Sequence, residues 1–471
     1  MQPNRAAPYS SLRRTVHQAL KNWHSTNEET ALLSNLYLYR SLQRQEGGSP
    51  RRVTNLVLLQ AIERLSATYE TEARFLQARF LEREPIHRLA NRLNVAESTV
   101  YVVQRQAINR LVELLHRQEE EAVMSQKARL LQRLEPPTYT ELLGIEEQLE
   151  RLVQLITTPA APWLVAIEGI GGIGKTALAD ALLRRLIAEG RVDELAWVSA
   201  RQQRFNLGGG LDPVAKPALT SDQLVAALIK QLLPELSTTT PVDQALATLR
   251  SRLQTTQHVI LIDNLETLAD VESLTPTLHN LANPTKFVLT SRHSLYSEPN
   301  LCHLRVAELS RPVALRLIRQ EAQLSNLLEL AAASDADLLP IFETVGGNPL
   351  ALRLVVGQAH LYALPSILYE LKMAQSGPAE NLYEFIYRKA WERLDPLSRQ
   401  ALLAMPLGNP AGEDIEYLAE VGDLAVGELR TALSKLVTLN LVDARGGLHE
   451  RRYTIHSLTR TFLQQQVARW F

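Results

Sequence analysis

Gly169-Ile170-Gly171-Gly172-Ile173-Gly174-Lys175-Thr176 follows directly on the apolar run Trp163-Leu164-Val165-Ala166-Ile167, and this junction decides the fold of the middle of the chain. The apolar run predicts a short, buried parallel strand. Thr176 to Ala188 has the pattern of a helix. Strand, glycine-rich turn and helix in this order bring backbone N–H groups from Gly171 to Thr176 together at a helix N-terminus, where the dipole favours anions. Side chains at Gly169 or Gly174 would obstruct close approach of the backbone. Lys175 is long and cationic enough to reach the β- and γ-phosphates of a nucleotide, and Thr176 offers an oxygen to Mg2+. The expected nucleotide contacts are therefore Gly169, Gly171, Gly172, Ile173, Gly174, Lys175, Thr176 and Ala177.

Working outward toward the C-terminus, strand patterns at Leu195–Ser199, His258–Ile262 and Lys286–Thr290 alternate with helix patterns at Leu224–Leu233 and Val242–Leu253. That order predicts a parallel sheet flanked by helices. The run His258-Val259-Ile260-Leu261-Ile262 ends in Asp263, the expected carboxylate on the Mg2+ side, paired with Thr176 as the metal set. Asn264 comes next and cannot take a proton from an attacking water. Glu266 is then the nearest candidate base, and slow hydrolysis is expected. The third strand runs into Ser291-Arg292, a guanidinium able to sense a γ-phosphate. Lys175, Asp263, Glu266 and Arg292 form the candidate catalytic set. The polar stretch Arg201–Pro217, with Gly208-Gly209-Gly210 and two prolines, reads as a surface loop.

The fold class expected is multidomain. Residues 1–135 read as all-helical, with Leu56, Leu59, Ile62 and Leu65 at helical spacing and Pro136-Pro137 closing the region. A phosphate-loop α/β domain is expected over 138–305 and a helical subdomain over 306–378. A winged helix is expected over 379–471, where strand patterns at Leu441–Asp443 and Arg452–Ile455 flank Gly446-Gly447. With 471 residues, 45% hydrophobic and 21% charged, the composition is that of a globular protein. No apolar run is long enough to cross a bilayer and no secretory signal opens the chain, so a cytoplasmic location is expected. The net charge of −1 gives no global steering toward nucleic acid, although residues 1–135 carry a mild basic excess. The single cysteine, Cys302, excludes an internal disulfide and reads as a small buried apolar residue.

Within the first region, residues 84–117 carry a helix-turn-helix pattern. Pro85 to Val95 followed by Ala96 to Tyr101 places small Ala90 at a helix crossing, with Val95 and Val100 beneath. The pattern resembles region 4 of sigma factors. That resemblance places Ser98, Thr99, Tyr101, Gln104 and Arg105 on a DNA-facing helix, with Arg88 and Arg92 toward phosphates. Ala96 stands where a capping Ser is usual, and Glu82, Glu84 and Glu97 would repel a phosphate backbone. DNA and a protein partner both remain open as targets of this region.

The motifs in order resemble the NB-ARC type of the STAND class of signal-transduction ATPases. After the phosphate loop and the Asp263 strand, Thr290-Ser291-Arg292 resembles the family's sensor-arginine motif. Gly346-Gly347-Asn348-Pro349-Leu350-Ala351-Leu352 resembles its GLPL motif, and Tyr453-Thr454-Ile455-His456-Ser457 its MHD motif. Leu143-Gly144-Ile145 stands where the family has Val-Gly-Arg, Asn264 replaces a second acid, and Ser457 replaces the acid of the last motif. The resemblance implies that Pro349 packs on adenine and that His456 reaches the β-phosphate of ADP. It implies ATP or ADP with Mg2+ as cofactors and a switch that is closed with ADP and forms a homo-oligomer with ATP. Output would be control of transcription or of a defence or signalling effector. Relatives continue into a repeat-built sensor beyond the position matching Phe471, so a separate sensor partner or the N-terminal region is expected to supply the input. Two alternatives from other classes are an AAA+-like ATPase that remodels DNA and a scaffold that holds nucleotide permanently.

Overall fold

The computed structural model describes residues 9–25, 31–137, 139–200, 219–236, 241–265, 268–291, 300–374, 391, 394–409, 412–439, 441–446, 450–455, 459–460 and 463. The chain divides into two compact units, Met1–Gln132 with Leu186–Asp193, and Arg133–Arg185 with Glu194–Phe471.

The first unit is helical, with α1 (Tyr9–Lys21), α2 (Tyr37–Glu46), α3 (Pro50–Ser66), α4 (Glu70–Leu76), α5 (Ile86–Leu93) and α6 (Glu97–Leu131). Its core gathers Val16, Leu20, Leu58, Ile62, Leu65, Leu111 and Leu115. The buried carboxylate of Glu119 accepts hydrogen bonds from the backbone N–H groups of Tyr37 (2.6 Å) and Leu38 (3.0 Å). These are donors that the first turn of α2 leaves without an intrahelical partner, so a long-range carboxylate replaces the missing local cap. α5 ends at Asn94 in the left-handed conformation (φ 51°), which Asn tolerates better than most residues, and α6 begins three residues later. Leu89, Ala90 and Val100 are buried at this junction and Val95 packs against the same core.

The second unit opens with α7 (Glu146–Thr157) and continues through β1 (Leu164–Glu168), α8 (Lys175–Ala188), β2 (Leu195–Ser199), α9 (Ser221–Leu232) and α10 (Val242–Thr255). β3 (Val259–Leu265), α11 (Leu268–Leu281), β4 (Lys286–Ser291) and β5 (Leu301–Arg305) follow. The strands form one parallel sheet in the order β2-β3-β4-β1-β5. β1, β3 and β4 are almost wholly buried, as their uninterrupted apolar runs require. Two elements fall outside the sequence expectation. β5 is a half-buried edge strand with a weak apolar pattern, and α11 carries Pro276 in its interior. Cys302 lies on β5 and is half-buried, which corrects the expectation of a buried residue.

At the opposite end of the sheet, Lys286 begins β4 with its side chain fully enclosed. Its ammonium donates to the carbonyls of Leu155 (3.2 Å), Pro162 (2.8 Å) and Ala160, and lies 4.6 Å from the centre of the Trp163 ring. This cage fastens the α7–β1 connection to the sheet.

Beyond the sheet lie α12 (Arg311–Leu324), α13 (Leu328–Ala331), α14 (Asp335–Val345), α15 (Pro349–Gln358) and α16 (Leu364–Ala374). They are followed by α17 (Pro396–Ala404), α18 (Ile415–Gly422), α19 (Val426–Thr438) and the antiparallel pair β6 (Asp443–Gly446) and β7 (Arg451–Thr454). One continuous apolar core runs from Ala314 and Leu338 through Leu352 and Val355 to Leu402, Leu433 and Ile455. No described helix is long and apolar enough to cross a membrane.

Candidate functional site

β1 lies between β4 and β5, so the loop leaving its C-terminal end stands at the point where the chain moves to opposite sides of the sheet. This is where α/β sheets open a crevice for ligands. Glu168, the last residue of β1, is buried and bonds through Oε1 to Nδ1 of His303 on β5 at 2.7 Å. The loop then turns through Gly169–Gly174 into α8. Ile173 is buried beneath it, while Gly171, Gly172, Gly174, Lys175, Thr176 and Ala177 keep partial exposure. The Lys175 ammonium donates to the carbonyls of Gly169 (2.7 Å) and Ile170 (3.0 Å), folding back over the loop's entry.

Thr176 and Asp263 meet as the sequence predicts. The Thr176 hydroxyl donates to Oδ1 of Asp263 at 2.8 Å, and Asp263 is fully buried. A third residue, quoted above only as the start of the Thr290-Ser291-Arg292 motif and given no role of its own, completes the cluster. Thr290 on β4 donates its hydroxyl to the same Asp263 oxygen at 2.6 Å and accepts from the backbone N–H of Asn264 at 2.7 Å. Asn264 itself has φ +69°, and the β3–β4 register shifts between Ile262 and Leu265. A left-handed residue at a strand irregularity gives Asn264 a backbone role. The signal for Thr290 was its hydroxyl at the C-terminal end of the neighbouring strand.

The Gly346–Leu352 segment closes on the same loop. Asn348, fully buried, caps α15 by accepting from Leu350 N–H (3.0 Å) and Ala351 N–H (3.3 Å), and its Nδ2 donates to the Gly171 carbonyl at 3.0 Å. Pro349, the expected nucleotide contact, is the first residue of α15. Gly347 donates its N–H to Glu308 (3.0 Å) and accepts from the Leu309 N–H (2.9 Å). A Cβ at Gly347 would sit 2.1 Å from the Leu309 carbonyl, so the glycine is a packing requirement. On the N-terminal side, the Tyr139 hydroxyl donates to Asp180 of α8 at 2.6 Å, and Arg184 donates to the same carboxylate at 2.7 Å. Burial and the Asp180 carboxylate push the Tyr139 phenol well above its usual range.

Glu266, Arg292 and His456 lie outside the described residues, as does the Arg201–Pro217 stretch. In the helical unit, Ser98, Thr99, Tyr101 and Arg105 are exposed on α6 and Gln104 is half-buried. Arg88 is also exposed, whereas Arg92 ion-pairs with Glu84 at 2.7 Å.

The donor set suits a nucleotide with Mg2+. The N-terminus of α8, the loop N–H groups and the Lys175 ammonium are suited to an anion, and the Thr176 hydroxyl and Asp263 carboxylate are hard oxygen ligands. Among the described residues no cluster of three His, Cys, Asp or Glu side chains could hold a metal by itself.

Residues 145–330 match the family model described as the NB-ARC domain. No curated protein matches the chain. Among solved structures the chain is similar to a signal transduction ATPase with numerous domains (STAND) protein from Pyrococcus horikoshii that has a tetratricopeptide repeat sensor. Identity is 15%, coverage is 70% of this chain and 43% of that chain, and the TM-score is 0.45. The chain therefore spans less than half the length of that protein. It is also similar to the Orc1 protein of Aeropyrum pernix in complex with DNA, at 16% identity over 74% of this chain and 98% of that chain, with a TM-score of 0.32. Drosophila ORC bound to DNA is similar at 13% identity over 74% and 91% of the two chains, with a TM-score of 0.33.

Proposed function

We propose that this protein, whose residues 145–330 match the NB-ARC domain model, is an ATP- and ADP-dependent switch that stays closed with ADP and assembles with itself on binding ATP. The observation that carries this reading is the convergence of the Thr176 and Thr290 hydroxyls on one buried Asp263 oxygen beside a phosphate loop whose Gly171 is held by Asn348. One cluster thus joins the phosphate loop to β3 and β4, and the other joins it to α15. A change at the phosphates is then felt in three elements at once.

Each residue has a task in this reading. Lys175 and the N–H groups of residues 171–177 hold the phosphate chain, Thr176 and Asp263 hold Mg2+, and Pro349 packs against the base. When bound, Mg2+ neutralises phosphate charge. Arg292 and His456 contact the outer phosphates in this reading, on the strength of family resemblance alone. Asn264 satisfies a left-handed backbone position and bonds through its N–H to Thr290, and as an amide it cannot serve as a base, so the residue following Asp263 in the chain is not a proton acceptor. Turnover is accordingly slow, and the chain holds nucleotide more than it consumes it.

The proposed division is a helical region over 1–135, a nucleotide-binding domain over 138–305, a helical subdomain over 306–378 and a winged helix over 379–471. In the last of these, α17–α19 and the β6–β7 hairpin supply the helices and wing. Output passes through the N-terminal region, to DNA or to a protein effector, by way of the exposed face carrying Ser98, Thr99, Tyr101 and Arg105. Nucleotide content after purification, followed by multi-turnover rates, tests the reading. Retained ADP with turnover far below about 1 per second supports a switch. Fast turnover would support a motor, and a mass indifferent to nucleotide a scaffold.

A further inference from the structure

Asn348 uses both ends of its amide. Its oxygen accepts from Leu350 N–H and Ala351 N–H, and its nitrogen donates to the Gly171 carbonyl at 3.0 Å. The two backbone donors of α15 require the oxygen on their side, so the amide has one orientation and the NH2 group faces the phosphate loop. The residue is fully buried, and the adjacent Gly172 (φ +75°) is pressed against the same helix. A Cβ at Gly172 would lie 2.7 Å from Leu350 Cβ and 3.1 Å from Asn348 Oδ1.

The Gly171–Gly172 peptide is trans. In a trans peptide the C=O and N–H bonds point in opposite directions. A carbonyl held toward Asn348 therefore turns the Gly172 N–H away from α15. Gly172 lies in the turn between β1 and α8, and Lys175 folds back across the entry of that loop to Gly169 and Ile170. In the nucleotide-site reading Lys175 reaches the β- and γ-phosphates, and the Gly172 N–H is assigned with it to the outer phosphates.

We propose that Asn348 is a positioning residue of the phosphate loop: by holding the Gly171 carbonyl it aims the Gly172 N–H at the β-phosphate and beyond. The inference rests on the reading of residues 169–176 as a nucleotide site. It makes the sequence position before Pro349 a determinant of how strongly the chain distinguishes di- and triphosphates from monophosphates. It also ties the start of α15 to the loop, since α15 cannot lose its cap contact without releasing Gly171.

Asn348→Ser tests this in the full chain. Ser remains a good N-cap but is too short to reach Gly171, so the variant is expected to fold with a melting temperature lowered by a few degrees, about the value of one buried hydrogen bond. ADP affinity by calorimetry is expected to fall about tenfold, the value of one hydrogen bond to a charged group, while AMP affinity measured by competition stays unchanged. Asn348→Asp, isosteric and still a cap, removes the donor and must weaken ADP at least as much. Unchanged ADP affinity in both variants overturns the proposal. So does an equal fall for ADP and AMP, which would mark Asn348 as a support of the helix alone. A wild-type chain that binds neither nucleotide defeats the nucleotide-site reading itself, and is distinguished by failing before any substitution is made.

Discussion

The Thr176 hydroxyl and the Asp263 carboxylate are hydrogen-bonded at 2.8 Å although 87 residues separate them. The contact joins the first turn of α8 to the end of β3, and it places a hydroxyl and a charge where Mg2+ is held in phosphate-binding folds. Asp263→Asn keeps the shape and can still accept from Thr176 and Thr290, but lacks the charge. The expected outcome is that the gain in ATP affinity on adding Mg2+ falls by about tenfold or more, while binding without Mg2+ is nearly unaffected. Calorimetry with and without Mg2+ measures both.

Lys175 carries the loop's one side-chain cation within the quoted motif. Lys175→Ala is expected to lower ATP affinity about 100-fold, the upper range for a charge-assisted bond to phosphate. A calorimetric titration showing unchanged affinity would refute its assigned role.

Arg353 of α15 ion-pairs with Glu321 of α12 at 3.2 Å and with Asp443 of β6 at 3.1 Å. The two carboxylates together hold the guanidinium firmly in its charged form, outweighing the cost of its burial. Arg353→Met leaves two acids facing one another in a partly buried site. A loss of about 3 kcal/mol is expected in denaturant unfolding, with ADP affinity in the folded variant changed less than about twofold.

Asp395 caps α17 by accepting from Ser398 N–H at 2.8 Å and accepts from the Lys435 ammonium of α19 at 2.7 Å. The Lys435 bond first, and the Ser398 N–H next, hold its carboxyl well below the usual carboxylate range. A lowered folded-state pKa contributes stability that is fully present above the unfolded value of about 4 and fades as pH falls toward the folded one. The stability difference between wild type and Asp395→Ala is therefore expected to be constant from neutral pH down to about 5 and to shrink below about 4. Thermal melts across that range check the sign.

The phosphate loop and the three inner strands were legible because their signals are local. Glycines at fixed spacing, a Lys-Thr pair and unbroken apolar runs each state their structure within a few residues. β5 was not legible, since an edge strand with one half-exposed face carries little apolar pattern, and α11 was hidden by Pro276 in its interior. Thr290 and Asn348 stand inside quoted motifs, but neither has a role of its own in the sequence, for another reason. Their roles arise only when β4 and α15 are brought to the loop, and a Thr in a strand or an Asn before a Pro has ordinary local explanations. Asn264 was read as a missing acid, yet its φ of +69° gives a conformational reason for Asn at that position.

In the proposed switch, nucleotide identity controls assembly of the chain. Light-scattering mass of this chain, with ADP and then with ATP and Mg2+, is the decisive measurement. The mass of a single chain is expected with ADP and a discrete multiple of it with ATP. Equal masses under the two nucleotides, with binding of both verified, would contradict it.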